Sequence, residues 1–189
     1  MRPDGRPSGP NRPEAARVFF ALWPDMATLE VLDRAARDGA ARFGGRATKR
    51  ETQHLTLAFL GDVTLDRLPA LHEAAGRVAC PAFRFSLDRL GFWRHNRILW
   101  AGSSHDQRPL AGLVHGLVQE IRATGGKVDG GSRPFVPHVT LVRNVRENPQ
   151  ELPPLAAVAW ECRDFVLVRS RLSARGAAYE TLGRWPLSP

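Results

Sequence analysis

The chain has 189 residues, 43% of them hydrophobic, enough for one domain with a true interior or for two small lobes sharing a core. No apolar run approaches the roughly 18 residues of a membrane-spanning helix, so a soluble protein with no membrane partner is expected. A formal charge of +8 and an isoelectric point near 11.0 point to an anionic partner, with nucleic acid the obvious candidate.

Of the 27 basic residues all but Lys49 and Lys127 are arginine, which suits bidentate phosphate binding. The codons of a GC-rich genome produce the same bias, so charge alone decides little. Cys80 and Cys162 stand far apart with no C-x-x-C spacing, which suggests neither a zinc site nor a disulfide framework. A reducing, cytoplasmic setting is the simpler expectation.

Residues 1–16 are short, polar and rich in Pro, Arg and Gly, without an apolar segment that could serve as a signal-peptide core; a disordered tail is expected there, with residues 17–189 as a single bilobal domain. Arg17 to Trp23 reads as a first strand closed by Pro24, with Asp25 positioned to cap a helix whose face is Leu29, Leu32, Ala36 and Ala40. Gly44-Gly45 ends it. Arg46, Lys49 and Arg50 follow, either as a solvated basic loop, the simpler explanation, or as phosphate collectors. Leu68, Leu71, Ala75 and Val78 predict a second helix, with Asp66 as its cap and Pro69 tolerated in the first turn. Phe83, Phe85 and Leu87 alternate with polar residues as in a half-buried strand, which Gly91 is expected to break.

The pattern then restarts. Arg97 to Gly102 is a strand, Leu110, Leu113, Leu117 and Ile121 form one helical face, and Gly125-Gly126 stops it. Val18 to His54 and Ile98 to His138 are nearly equal intervals, which argues for an internal duplication: two βαβ-containing lobes about a pseudo-two-fold axis. Trp160 to Leu172 and Tyr179 to Arg184 supply further strands, joined by a turn around Gly176. The expected class is α+β, with mixed or antiparallel sheets lining a central cleft.

Within each half lies a copy of one motif, Gln53-His54-Leu55-Thr56-Leu57-Ala58-Phe59-Leu60-Gly61 and Pro137-His138-Val139-Thr140-Leu141-Val142-Arg143. Alternate side chains of a strand share a face, so His54 and Thr56 point one way while Leu55, Leu57 and Phe59 point the other; His138 and Thr140 stand likewise against Val139 and Leu141. One His-x-Thr is most often an ordinary half-buried strand position. Two at matching depth suggest a two-histidine site.

These paired motifs resemble those of the two-histidine phosphoesterase superfamily, and within it the bacterial RNA 2′,3′-cyclic phosphodiesterase family, also called 2′-5′ RNA ligase-like. Supporting stretches are Arg17-Val18-Phe19-Phe20-Ala21-Leu22, the Phe-Leu-Gly-Asp ending at Asp62, Arg133-Pro134-Phe135-Val136-Pro137-His138, and Val168-Arg169-Ser170 with Tyr179. The resemblance runs from Arg17 to Leu187. It implies an enzyme that acts on RNA ends carrying a 2′,3′-cyclic phosphate, as a monomer, with no metal and no cofactor. By the same resemblance His138 is the base toward water and His54 the acid toward the ribose 3′ oxygen.

Two histidines can supply both proton transfers that opening a cyclic phosphodiester requires, since their ordinary pKa of about 6.5 lets one be neutral and the other protonated. Thr56 and Thr140 would donate hydrogen bonds to the non-bridging oxygens. Arg143 matches the family's arginine after the second motif and would neutralise phosphate charge, yet strand alternation puts it opposite His138; a bulge or the strand's end has to turn it. His72 and His115 in helices and His95 and His105 near turns are expected at the surface. Similarity makes Phe20, Arg133, Ser170 and Tyr179 cleft neighbours, although Phe20 serves equally as core and Tyr179 as a structural donor. Two other readings remain: a ligase forming a 2′-5′ bond at the same histidines, and a non-catalytic module binding RNA ends. A metallohydrolase is weaker, because no third ligand stands at suitable spacing.

Overall fold

The computed structural model describes residues 14–129, 134–173 and 176–189. The first strand, β1 (Ala15–Leu22), begins two residues ahead of the expected Arg17, since Ala15 and Ala16 pair with Thr64 and Val63. Residues 1–13 of the expected tail lie outside the described residues. Asp25 caps α1 (Met26–Phe43) as its position suggested, its carboxylate accepting from the Thr28 amide at 2.7 Å. Then come the two-residue β2 (Arg46–Ala47), the long β3 (Leu55–Thr64), α2 (Leu68–Gly76), β4 (Phe83–Leu87), β5 (Arg89–Trp93) and β6 (Ile98–Gly102). The chain ends with α3 (Arg108–Ala123), β7 (Val139–Arg143), β8 (Val158–Cys162), β9 (Asp164–Ser173) and β10 (Gly176–Pro186).

Three local expectations give way. Asp66 lies inside a 3-10 turn before α2 and makes no cap hydrogen bond. Gly91 does not break a strand but sits within β5, where a Cβ would come within 2.0 Å of the Trp100 ring; the strand needs glycine there for that indole to lie across it. Trp160 to Leu172 is two strands in two sheets, divided at Arg163.

The main sheet runs β10-β9-β1-β3-β7-β6-β5, with β2 paired to β7, and the pairings between its strands are antiparallel; β4 and β8 form a separate antiparallel pair. The two halves are therefore parts of one sheet, with β3 and β7 adjacent at its middle and β1 and β6 flanking them. One face buries Val18, Phe20, Leu22, Leu55, Leu57, Val139, Leu141 and Val142 against α1 and α3. Leu32, Ala36 and Phe43 of α1 and Leu110, Leu113, Leu117 and Ile121 of α3 are the buried stripes that meet it. The other face carries a smaller cluster, Phe19, Ala21, Val166 and Val168, with Trp23, Phe59 and Tyr179 packed on it.

Bulges set which residues reach that second face. In β7, Thr140 pairs with Trp100 and Val142 with Leu99, so Leu141 is an extra residue. In β3, Thr56 pairs with Ala21 and Ala58 with Phe20, making Leu57 extra, and Leu60 is extra in the same way before Gly61 at φ +70°. After each bulge the alternation is reversed. Phe59, expected beside Leu55 and Leu57 in the core, is thereby turned to the face of Thr56, and Arg143 is turned to the face of Thr140.

Candidate active site

Each histidine stands one residue before its strand, where the chain enters the sheet beside its counterpart, and the two lie on one cleft of about 330 Å³. Thr56, Thr140, Arg143 and Tyr179 line the same cleft, as do Arg46, Thr48, Lys49, Trp93 and Asn96. The five residues singled out by motif and resemblance, His54, Thr56, His138, Thr140 and Arg143, are thus together.

The imidazoles are held in one manner. Nδ1 of His54 lies 2.7 Å from the Thr52 carbonyl, and Nδ1 of His138 lies 2.9 Å from the Val136 carbonyl. In each case the carbonyl two residues back accepts only if Nδ1 carries the proton, which leaves Nε2 of the neutral ring as a lone-pair nitrogen. Aromatic rings fix the planes. Phe19 stacks on His54 at 4.8 Å between centroids, and Trp23 and Tyr179 meet it edge-on at 5.5 and 5.3 Å. Trp93 meets His138 edge-on at 4.5 Å, backed by Trp100 at 6.4 Å.

Those rings displace water, and burial is the main reason both histidines titrate low. His54 is brought down to about 4, the Thr52 carbonyl opposing the shift and the charges of Arg143 and His138 adding to it. His138 is also lowered, by burial first and by Arg143 in addition, against the Val136 carbonyl. Burial pushes the Tyr179 hydroxyl up, with Arg143 pulling the other way. Among the described residues Arg143 is thus the cation whose field reaches all three groups.

The β5–β6 turn that carries Asn96 is clamped to the end of β7. Arg97 Nε donates to the Val145 carbonyl at 2.6 Å and the Val145 amide to the Arg97 carbonyl at 3.0 Å, with Arg97 and Asn144 both in left-handed backbone. Such strain persists only where the surroundings hold it, and here the Arg97–Val145 clamp holds the residues that follow Asn96 and Arg143.

Phe20 is fully buried on the opposite face of β1, and the residue against His54 is Phe19. Of the two readings left open for Phe20, the core one holds and the cleft-neighbour one does not. Ser170 is half-buried in β9, paired with Arg17 and Tyr179, and is not part of the cleft lining. Arg133 lies outside the described residues. His95, His105 and His115 are exposed as expected, whereas His72 is half-buried against Trp185 at 5.2 Å. Of the rings around the imidazoles only Tyr179 was named as a cleft neighbour; Phe19, Trp23, Trp93 and Trp100 were missed, although β1 advertises a second covered face: Val18-Phe19-Phe20-Ala21-Leu22 is apolar at both parities, the mark of a strand covered on two faces. Among the described residues no three His, Cys, Asp or Glu side chains converge at metal-ligating distance.

The chain spans 98% of the length of a curated Escherichia coli K12 relative, "RNA 2′,3′-cyclic phosphodiesterase", with 33% identity over 178 residues covering 93% of this chain. The chain belongs to the LigT-like phosphoesterases. The family model described as "LigT like Phosphoesterase" matches residues 22–100, around the first motif only, while the full-length relatives extend through the second. A Thermus thermophilus protein of the same name is 28% identical over 180 residues, covering 90% of each chain. The crystal structure of E. coli LigT in apo form superposes with a TM-score of 0.82 at 31% identity, covering 93% of this chain and 99% of that one. The α+β architecture is therefore that of LigT. Among the described residues no helix is long and apolar enough to cross a membrane.

Proposed function

We propose that this chain hydrolyses the 2′,3′-cyclic phosphate at RNA ends to a 2′-phosphomonoester, using His54 and His138 without a metal ion. The observation that carries the reading is the matched pair of imidazoles on one cleft, each tied through Nδ1 to a carbonyl and each with Nε2 left for proton transfer. The E. coli and Thermus relatives bear the name of this activity.

In this mechanism neutral His138 takes a proton from water as its oxygen attacks phosphorus. The bond from phosphorus to the 3′ oxygen breaks, and protonated His54 delivers its proton to that oxygen. The product has a 2′-phosphate and a free 3′ hydroxyl, and the two imidazoles return to their starting states by exchange with solvent. Thr56 and Thr140 donate to the non-bridging oxygens and Arg143 offsets the charge that builds there. The order of base and acid comes from the family resemblance. The free protein's deeper depression of His54 pulls against it, so the acid has to gain its proton with the substrate, whose anionic phosphate favours the charged imidazole. The buried free thiols Cys80 and Cys162 support a reducing, cytoplasmic setting.

Short RNAs ending in 2′,3′-cyclic phosphate, followed by phosphorus NMR, test the reading. A 2′-phosphate product at equal rate with and without EDTA is expected. A predominantly 3′-phosphate product overturns the substrate pose, and a loss in EDTA that zinc or magnesium restores overturns the two-histidine acid–base reading.

A further inference from the structure

Arg46 of β2 and Arg143 of β7 are directly opposed register partners, and both line the cleft together with Lys49. Like charges placed opposite one another in an antiparallel pair destabilise it. Among the described residues no Asp or Glu lines the cleft, and no ion pair involves any of the three cations. The arrangement is held firmly. The Thr48 amide donates to the Leu141 carbonyl at 2.7 Å, buried Gln53 donates to the Thr48 carbonyl at 3.2 Å, and the Thr52 amide donates to the Lys49 carbonyl at 2.9 Å. A segment fixed at three points, presenting cations against a third cation, is built for an anion.

One cyclic phosphate carries a single negative charge, and Arg143 is the cation that bears on the two imidazoles where that group reacts. Arg46 and Lys49 exceed what the reacting phosphate needs. We infer that they form a second anion subsite, which holds the phosphate on the 5′ oxygen of the nucleotide whose 2′,3′-phosphate is opened. The inference rests on the proposed reaction for its substrate and adds a requirement to it. The preferred substrate is a nucleotide phosphorylated at both ends of its ribose. That second phosphate is a terminal 5′-phosphomonoester or the phosphodiester to a preceding nucleotide, and the chemistry recognised is the same.

Three substrates separate the possibilities: adenosine 2′,3′-cyclic phosphate, the same compound with a 5′-phosphate, and a dinucleotide ending in the same cyclic phosphate. The intact protein should turn over the second and third with kcat/KM about ten- to a hundredfold above the first, the worth of a charge-assisted contact. Arg46→Gln and Lys49→Gln should each bring that ratio down toward one. A gain confined to the 5′-phosphomonoester supports the subsite with a terminal phosphate as its ligand. A gain confined to the dinucleotide supports the phosphodiester as the ligand if Arg46→Gln and Lys49→Gln remove it; if they leave it, the gain belongs to the second nucleoside and the inference is overturned, as it is by a proportional loss on all three substrates in Arg46→Gln. Calorimetry with adenosine 5′-monophosphate and adenosine decides without turnover. Tighter binding of the monophosphate that is lost in Arg46→Gln supports the subsite even if no cyclic phosphate is hydrolysed, an outcome that would remove only the proposed reaction. Equal binding of the two compounds overturns it.

Discussion

Leu55 and Val139 face each other across the join of β3 and β7, and each stands immediately after one of the two site histidines. Among the described residues theirs is the one register pair between those strands, and both side chains are fully buried. The separation of His54 and His138 is therefore set less by a hydrogen-bonded ladder than by apolar packing under the join. Leu55→Ala is expected to lower unfolding stability by about 2–5 kcal/mol, through lost transfer energy and the cavity left behind. Urea denaturation measures this. A midpoint unchanged from that of the native chain would mean the halves are held together elsewhere.

Replacing either histidine by alanine is expected to cut turnover by about a hundred- to ten-thousandfold while circular dichroism stays native. Thr56→Val and Thr140→Val keep the shape but remove a donor, and smaller losses, about ten- to a hundredfold, are expected. The order of acid and base is separable with a 4-nitrophenyl phosphodiester, whose leaving group departs without protonation. On that substrate His54→Ala should lose far less than His138→Ala. The opposite ranking assigns the acid to His138.

The parts of this molecule written in local spacing were legible in the sequence. Asp25 before an i, i+4 apolar stripe marked α1 with its cap, and the repeated His-x-Thr marked two residue pairs that line one cleft. The orientation of Arg143 was legible only as a conflict between motif and alternation, which the bulge at Leu141 resolves. Phe59 was misplaced for the same reason: alternation has no means of announcing an extra residue such as Leu57, because bulged and regular strands share one composition. Phe20 could not be decided between core and cleft because β1 carries no polar residue between Val18 and Leu22 to mark its outer parity. The union of both halves in one sheet rests on Leu55 meeting Val139, a pairing between distant segments on which local propensity is silent.

Gly91 connects the fold to the seat of His138. The Trp100 ring lies across it where a Cβ would approach to 2.0 Å, and Trp100 packs at 5.3 Å on Trp93, the ring that meets His138 edge-on. Gly91→Ala must push the indole aside. A stability loss of about 1–3 kcal/mol from overpacking is expected, together with a fall in kcat as Trp93 loses its backing. Near-native stability with near-native kcat would mean that the tryptophan pair does not orient the imidazole.

The pH dependence of kcat/KM reports the free protein, in which burial and Arg143 hold both histidines below their ordinary pKa. The productive form needs one imidazole neutral and one protonated. Both are neutral at high pH, so activity is lost as pH rises through the higher of the two coupled values, and it is lost again at low pH when the second proton binds. Because both values are depressed, the bell is expected to lie on the acid side of about 6.5, with its alkaline limb falling tenfold per unit above the upper value. A cation beside an imidazole disfavours its protonated form, so removing that cation raises the pKa. Arg143→Gln is therefore expected to move the alkaline limb to higher pH, whatever its effect on the maximal rate. A profile centred above neutral pH in the native chain would overturn the depression by burial, and an alkaline limb that Arg143→Gln leaves in place or moves toward acid would remove Arg143 from the electrostatics of the pair.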